Sequence, residues 1–437
     1  MGPQFYVSLI VLAAILGVFL LVAAPYLIYL ERKIAAWSQN RIGPNRVGLT
    51  FGFLPNSWHM IGLGQPLADG IKFLAKEDYN PGNVDKSLFI AAPVLAAVPA
   101  LIAWAVIPWG GELRGPIELH LWEWLPLIGG SHVLLKDAAV NFVVADINIG
   151  IVYILAAGSL AVYGVTIGSW ASNNKYSFFG GLRATAQMLS YEIPMGLCVL
   201  SVLLLAGTVR PSEIIYDQVG YWHGWIPAWN ILQMPLVAIL FFICILAESN
   251  RAPFDVAECE QELIGGFHTE YSSMKFALFF VGEYVHMIVG SAFFTLLFLG
   301  GWHLPWLDRV IYGATQPAMV EGGSFGLVLA GVGLKVAIFL AKVTFLLYLM
   351  MWIRWTLPRF RFDQLMRMAW RGLIPLTIGL LLITGVFIYN NWGGYLWVGN
   401  GLVVVAWLIA MPFIPSDKTT NARVPLSGSR FSGLETH

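Results

Sequence analysis

Residues Leu88–Ile107 read LFIAAPVLAAVPALIAWAVI, without a single charged or amide side chain. Twenty helical residues rise about 30 Å, the thickness of a bilayer's hydrocarbon core. Eight further apolar runs lie at Tyr6–Tyr29, Phe142–Ile167, Met188–Leu205, Ile231–Leu246, Met274–Leu299, Phe325–Trp352, Leu373–Tyr389 and Leu396–Phe413. Ile231–Leu246 is the shortest, and Gly399-Asn400-Gly401 interrupts the start of the last. Whole-chain composition agrees. Of 437 residues, 58% are hydrophobic and 11% charged, with mean hydropathy +0.71. A soluble domain carries about 25% charged residues, so neither a soluble globule nor a disordered chain fits. The expected fold is an all-α polytopic membrane protein. It has an eight-span core helix bundle, a ninth C-terminal span and one interfacial amphipathic helix.

Tyr6–Tyr29 is too long for a signal-peptide core and lacks a basic stretch before it. Lys and Arg are shared unequally among the connections. The first, third, fifth and seventh hold sixteen, while the even-numbered ones hold only Arg114, Lys136, Arg210 and Arg309. By the positive-inside rule, the odd connections face the cytoplasm and the N-terminus lies outside. The outer connections are rich in Trp (Trp109, Trp122, Trp124, Trp222, Trp225, Trp229, Trp302, Trp306), an interfacial belt. Formal net charge is zero, and nothing in it points to nucleic acid. Cys198, Cys244 and Cys259 form no CxxC pair, so they read as ordinary thiols and no cofactor or metal is expected on this chain. Nor is there a nucleotide-binding GxGxxG or phosphate-loop motif. An internal repeat of the kind carriers use is not evident.

The first connection, residues 31–87, begins Glu31-Arg32-Lys33 and continues into the turn-rich Arg41-Ile-Gly-Pro-Asn-Arg46. Its Leu54–Lys76 stretch alternates apolar and polar residues at helical spacing, with Asp69, Lys72 and Lys76 off the apolar face. Such a helix either lies in the membrane interface or floors a crevice against a partner. The fifth connection gathers Glu248, Asp255, Glu258, Glu260, Glu262 and Glu270 within 23 residues, opposed by Arg251 alone. A merely solvated loop has little need of the Gly265-Gly266 break or the embedded His268 and Tyr271.

Asp146, Glu192, Glu248 and Glu283 fall inside or at the edge of apolar runs, with Lys335 and Lys342 as candidate counter-charges. A charge at mid-membrane costs at least about 2.5 kcal/mol, so such groups mark a proton or ion path by default. Static helix–helix pairing is the competing explanation.

Five segments carry a family resemblance: Leu30–Gly48, Gln65–Asp78, Trp170–Pro194, Glu248–Ser273 (within AESNRAPFDVAECEQELIGGFHTEYSS) and Arg354–Met366. In this order they resemble the H-subunit family of respiratory complex I, NADH–quinone oxidoreductase, which includes the mitochondrial ND-one subunit. The resemblance covers the core, about residues 1–392, and says nothing of 393–437, an extra apolar run and basic tail. It implies a bacterial inner-membrane subunit that forms the membrane end of a quinone chamber and couples quinone reduction to proton translocation. Quinone is its substrate, and FMN and iron–sulfur clusters sit on partner subunits. The partners it implies are peripheral-arm quinone-module subunits, small membrane-arm subunits, and lipid. By the resemblance, Glu31, Arg32, Arg41, Arg46, Asp69 and Lys72 shape the chamber. Glu248, Arg251, Asp255, Glu258, Glu260, Glu262 and Glu270 form an acidic funnel over residues 248–273, and Asp146, Glu192 and Glu283 carry protons inward. The alternatives are the anchor protein of a related membrane-bound hydrogenase, an independent ion-coupled carrier, and a structural anchor.

Overall fold

A computed structural model describes residues 8–9, 11–13, 23–48, 62–113, 117–119, 133–135, 140–222, 226–257, 264–305 and 325–410. Most of the first apolar run, residues 54–61, Glu258, Cys259, Glu260, Glu262, Arg114, Lys136, Arg309, Trp122, Trp124, Trp225, Trp306 and the C-terminal tail lie outside the described residues.

The bundle is built from α1 (Ala24–Ser38), α2 (Gln65–Ala75), α3 (Lys86–Ala103), α4 (Gly150–Ala171), α5 (Lys175–Ala206) and α6 (Pro211–Asp217). It continues with α7 (Pro235–Glu248), α8 (Ser273–Phe298), α9 (Phe325–Thr356), α10 (Phe362–Arg367), α11 (Ile374–Tyr389) and α12 (Leu396–Ala410). Among the described residues, six helical runs are long and apolar enough to cross a membrane: Lys86–Val106, Gly150–Ala171, Lys175–Ala206, Ser273–Phe298, Gly331–Thr356 and Phe362–Tyr389. Pro235–Glu248 and Gly393–Ile409 are shorter apolar helices. This is a polytopic all-α membrane protein.

Local sequence explains the ends. Asp85 caps α3 by accepting from Ser87 N at 3.2 Å and Leu88 N at 3.5 Å. Hydrogen bonds from Ser87 and Leu88 hold its carboxyl below the usual carboxylate range. Asn174 caps α5 by accepting from Tyr176 N at 2.9 Å. Gly207 ends α5 in the left-handed region, φ +67°, where a side chain would be strained. The α10–α11 run passes through a six-residue π turn at Met368–Leu373.

Lipid removes the usual hydrophobic drive between helices, so close packing of small residues has to hold the bundle. A Cβ on Gly164 would fall 2.4 Å from the backbone N of Ala96, which brings α3 against α4. One on Gly181 would fall 1.8 Å from Ser169 Oγ, locking α4 to α5. Helix α8 is central. Its buried residues run from Ser273 to Phe298, and it packs on α1, α2, α3, α7 and α9.

The two ends of the bundle differ. The first, third, fifth and seventh connections gather at what we term the basic end: Tyr79 N donates to Ser272 Oγ at 3.1 Å and Asn173 Nδ2 to Asn83 O at 3.0 Å. The opposite end carries three two-stranded antiparallel pairs, Glu112–Leu113 with Val140–Asn141, Ile117–Leu119 with Val133–Leu135, and Tyr221–Trp222 with Ile226–Pro227. The apolar pattern gives no hint of these strands.

The structure corrects one expectation. Phe142–Ile167 is not one span: its first residues form bends and a turn after the strand that ends at Asn141, and the helix starts at Gly150. Asp146 therefore sits at the opposite end, where Arg210 grips it through Nη2 at 2.6 Å and Nε at 3.1 Å and Asn141 Nδ2 donates at 2.8 Å. Lys342 is tied to backbone. Its Nζ donates to the carbonyls of Leu299, Gly301 and His303 at 2.6, 2.9 and 2.6 Å, capping the C-terminus of α8, where a helix carries partial negative charge.

Candidate functional site

The middle of α1 brings Glu31 into the bundle, where it is 6% exposed. A buried carboxylate needs partners, and this one has three. Arg251 Nη1 donates to both its oxygens at 3.2 and 3.1 Å. Arg354, at the end of α9, and the hydroxyl of Tyr284, on α8, also donate to it. The partners are 220, 323 and 253 residues away in sequence, so the cluster joins α1, the fifth connection, α9 and α8 at one point.

Beside this cluster opens a crevice of about 620 Å³, lined by Ile28, Glu31, Arg32, Ala35, Arg41, Phe280, Tyr284, Arg354 and Trp355 among others. Its size and its apolar walls with a few fixed polar groups suit an organic ligand. Arg32 pairs with Asp69 of α2 at 2.6 Å, and Gln65 Nε2 donates to the other Asp69 oxygen at 3.1 Å. Helix α2 is thereby tied to α1. Its Leu67, Ile71 and Leu74 are exposed, as is Lys72. Arg41 and Arg46 lie exposed in the turn that follows α1.

Arg251 also leads inward. Its guanidinium lies 4.2 Å from the Tyr284 ring centroid, and Nη2 comes within 3.9 Å of Glu283 Oε2. Beyond Glu283 are two small cavities of about 30 Å³ each. One is lined by Glu283, Glu248 and His286, the other by Glu248, His286 and Gly158. A Cβ on Gly158 would fall 3.3 Å from Glu248 Oε1, so this glycine leaves room for the carboxylate. The next residue, Ser159, donates its hydroxyl to Glu192. Glu248 and Glu192 thus meet the same turn of α4. The row runs Glu31, Arg251, Glu283, Glu248, Glu192, from crevice to bundle interior.

The fifth connection is held in place by Gln187, a fully buried amide on α5. Its Nε2 donates to the carbonyls of Ala247 and Phe254, both at 2.8 Å, and reaches Asn250 Oδ1 at 3.2 Å. Asp255, 5% exposed, accepts from Arg359 at 2.8 Å. Glu270 accepts from Asn174 Nδ2. The Tyr271 ring stacks on Phe89, centroids 4.1 Å apart, and its hydroxyl donates to Gly168 O at 3.3 Å. Burial pushes that phenol's pKa up.

The structure therefore brings Glu31, Arg251, Glu283, Glu248 and Glu192 together, with Arg32 and Asp69 at the crevice rim. It keeps Asp146 apart. Sequence reasoning missed Arg354, Tyr284, Gln187 and Ser159 as site residues. Gln187 has a weak signal, an amide directly before an apolar run; the others have none short of the fold. Cys198 and Cys244 are buried free thiols. Among the described residues no group of His, Cys, Asp and Glu is disposed to hold a metal ion.

A helical membrane bundle with an ion-paired crevice at its basic end and carboxylates buried beyond it defines a polytopic membrane protein with ionisable groups inside its apolar core. A family model described as NADH dehydrogenase matches residues 10–385. Relatives named as the H subunit of NADH-quinone oxidoreductase cover nearly the same length. The Cytophaga hutchinsonii protein is 43% identical over 368 residues, 84% of this chain and 93% of the relative. The Geobacter sulfurreducens protein is 41% identical over 387 residues, 88% and 96%. The Flavobacterium johnsoniae protein is 39% identical over 391 residues, 90% and 98%. The chain belongs to the NADH dehydrogenase family, alongside these H subunits of NADH-quinone oxidoreductase.

Proposed function

We propose that this chain is the membrane subunit of a proton-translocating NADH–quinone oxidoreductase that forms one wall of the quinone chamber and carries the first stage of proton coupling. The crevice beside Glu31 takes the quinone headgroup, and Ile28, Phe280 and Trp355 supply apolar contact. Two electrons arrive from iron–sulfur clusters on a peripheral-arm partner, fed by its FMN, and two protons complete the quinol. The basic end faces the cytoplasm, where that arm docks over the fifth connection and α2. The N-terminus faces the periplasm of a bacterial inner membrane. Glu258, Glu260 and Glu262 extend the acidic funnel towards the arm. The comparisons give no support to the hydrogenase alternative.

One observation carries this reading: Arg251 contacts Glu31 at the crevice and Glu283 at the start of the inner row. Two acids and two arginines balance there while the crevice is neutral. Charge appearing on a quinone during reduction draws on Arg251 and Arg354, weakening their hold on Glu31 and Glu283. The freed carboxylates then favour protonation, which passes a proton demand to Glu248 and Glu192. Coulomb effects at these distances are strong because water is largely excluded.

The test is a photoreactive quinone analogue bound to the assembled complex. Label on peptides carrying Tyr284, Arg354 or Trp355, displaced by excess quinone, supports the site. Label confined to other chains of the complex, or not displaced, refutes it.

A further inference from the structure

The two small cavities share Glu248, Ser249 and His286. His286 lies on α8 three residues after Glu283, on the same helical face. Its Nε2 is enclosed and has no hydrogen-bond partner among the described residues. An enclosed polar nitrogen left unsatisfied is costly, so such a group is normally bonded to something. Each cavity, at about 30 Å³, exceeds the roughly 10–15 Å³ that one water needs. Polar residues to hold a water are available: Glu248 and Ser249 on both cavities, Glu283 and Asn250 on the one nearer the crevice. The remaining walls are mostly apolar, including Ala96, Ala100, Ala103, Val165 and Phe293. A water there has few places to go other than between these groups.

We infer that His286 is a positioning residue for the proton row: its Nε2 anchors the water that bridges Glu283 to Glu248. Direct carboxylate-to-carboxylate transfer is then unnecessary. The proton leaves one carboxyl for the water, and the water releases another to the next carboxylate. Charged and titratable groups around the ring are Glu248 on α7, Arg251 just after it, Glu283 and Tyr284 on α8, and Glu192 through Ser159 of α4. Helix α3 offers only alanines. The inference rests on the proton-row reading above.

The experiment uses the assembled complex in vesicles, with His286→Leu, His286→Gln and Glu248→Gln. NADH oxidation by a water-soluble artificial acceptor reports assembly. His286→Leu is expected to lower coupled quinone reduction about 10²-fold, as loss of a proton-transfer link does. His286→Gln keeps about half the rate, because an amide also holds a water. A high-resolution structure of the native complex is expected to contain an ordered water within about 3.2 Å of His286 Nε2. Wild-type rates in His286→Leu, a His286→Gln variant as slow as His286→Leu, or no such water in the density would each overturn the inference. If His286→Leu does not assemble, the native water density decides alone. Slow Glu248→Gln with normal His286→Leu removes only the role of His286. Normal pumping in Glu248→Gln removes the row itself.

Discussion

Arg251 and Glu31 face each other across 220 residues of sequence, joined by two hydrogen bonds of 3.1 and 3.2 Å. Both are almost wholly buried. The pair fixes α1 to the fifth connection, and the same guanidinium reaches Glu283. One guanidinium therefore serves both the joint with α1 and the contact with the inner carboxylate.

Arg251→Met leaves two acids beside a single remaining arginine. Removing one partner of a buried pair costs about 3–5 kcal/mol. The variant complex should melt at a lower temperature, and its KM for quinone should rise. Arg251→Lys restores the charge, but an ammonium cannot lie over Tyr284 and span both acids as a guanidinium does. Its KM should stay raised while its melting temperature largely recovers. Equal recovery of both quantities would show that charge alone suffices. Thermal scans and quinone titration measure the two.

Lys342 distinguishes a cap from a counter-charge. Lys342→Leu strips the donor from three carbonyls at the end of α8. An unsatisfied buried carbonyl costs about 1–3 kcal/mol. The expected result is a lower melting temperature with unchanged coupled turnover per assembled complex. A loss of turnover without a loss of stability would assign Lys342 a counter-charge role instead.

Gly181 and Ser169 form a very close contact between α4 and α5. Gly181→Ala should destabilise by about 1–3 kcal/mol, the usual cost of overpacking. The added Ser169→Gly change removes the clash, and the double variant should regain most of the lost stability. No rescue would mean that the helices meet elsewhere.

Asp85 gives a pH-dependent effect at the basic end. Its folded-state pKa is depressed by the Ser87 and Leu88 bonds. The stabilisation from its charge is therefore present above its unfolded pKa, about 3.9, and fades as pH falls through the folded value. Amide exchange at Ser87 and Leu88 should be faster in Asp85→Asn than in the native protein near neutral pH. The two should converge in acid. A constant difference across that range would contradict the capping role of the charge.

Much of this architecture is legible in the sequence because its signals are local. An apolar run of twenty residues needs no tertiary information, and most of Leu88–Ile107 lies within α3. Acids at Glu192, Glu248 and Glu283 stand out against the same background. The pairings do not, because period and composition carry no record of which helix meets which. Arg354 looks like any basic residue after a span until α9 is set against α1. Asp146 misleads for a different reason. Residues 142–149 are apolar enough to pass for helix, yet they form bends and a turn, and the run's hydropathy hides where α4 begins. Lys342 shows the same limit, since only the fold reveals the carbonyls it caps. The exposed apolar face of α2 fits either open alternative, lipid or a partner protein.

Proton translocation driven by quinone reduction, measured in vesicles for Glu192→Gln and Glu283→Gln, tests the coupling row most directly. The account predicts that both variants lose coupled turnover and pumping together, by about 10²–10⁴-fold, the range for lost proton-transfer groups. Oxidation of NADH by a soluble acceptor should persist in both. Full pumping in both variants would contradict it.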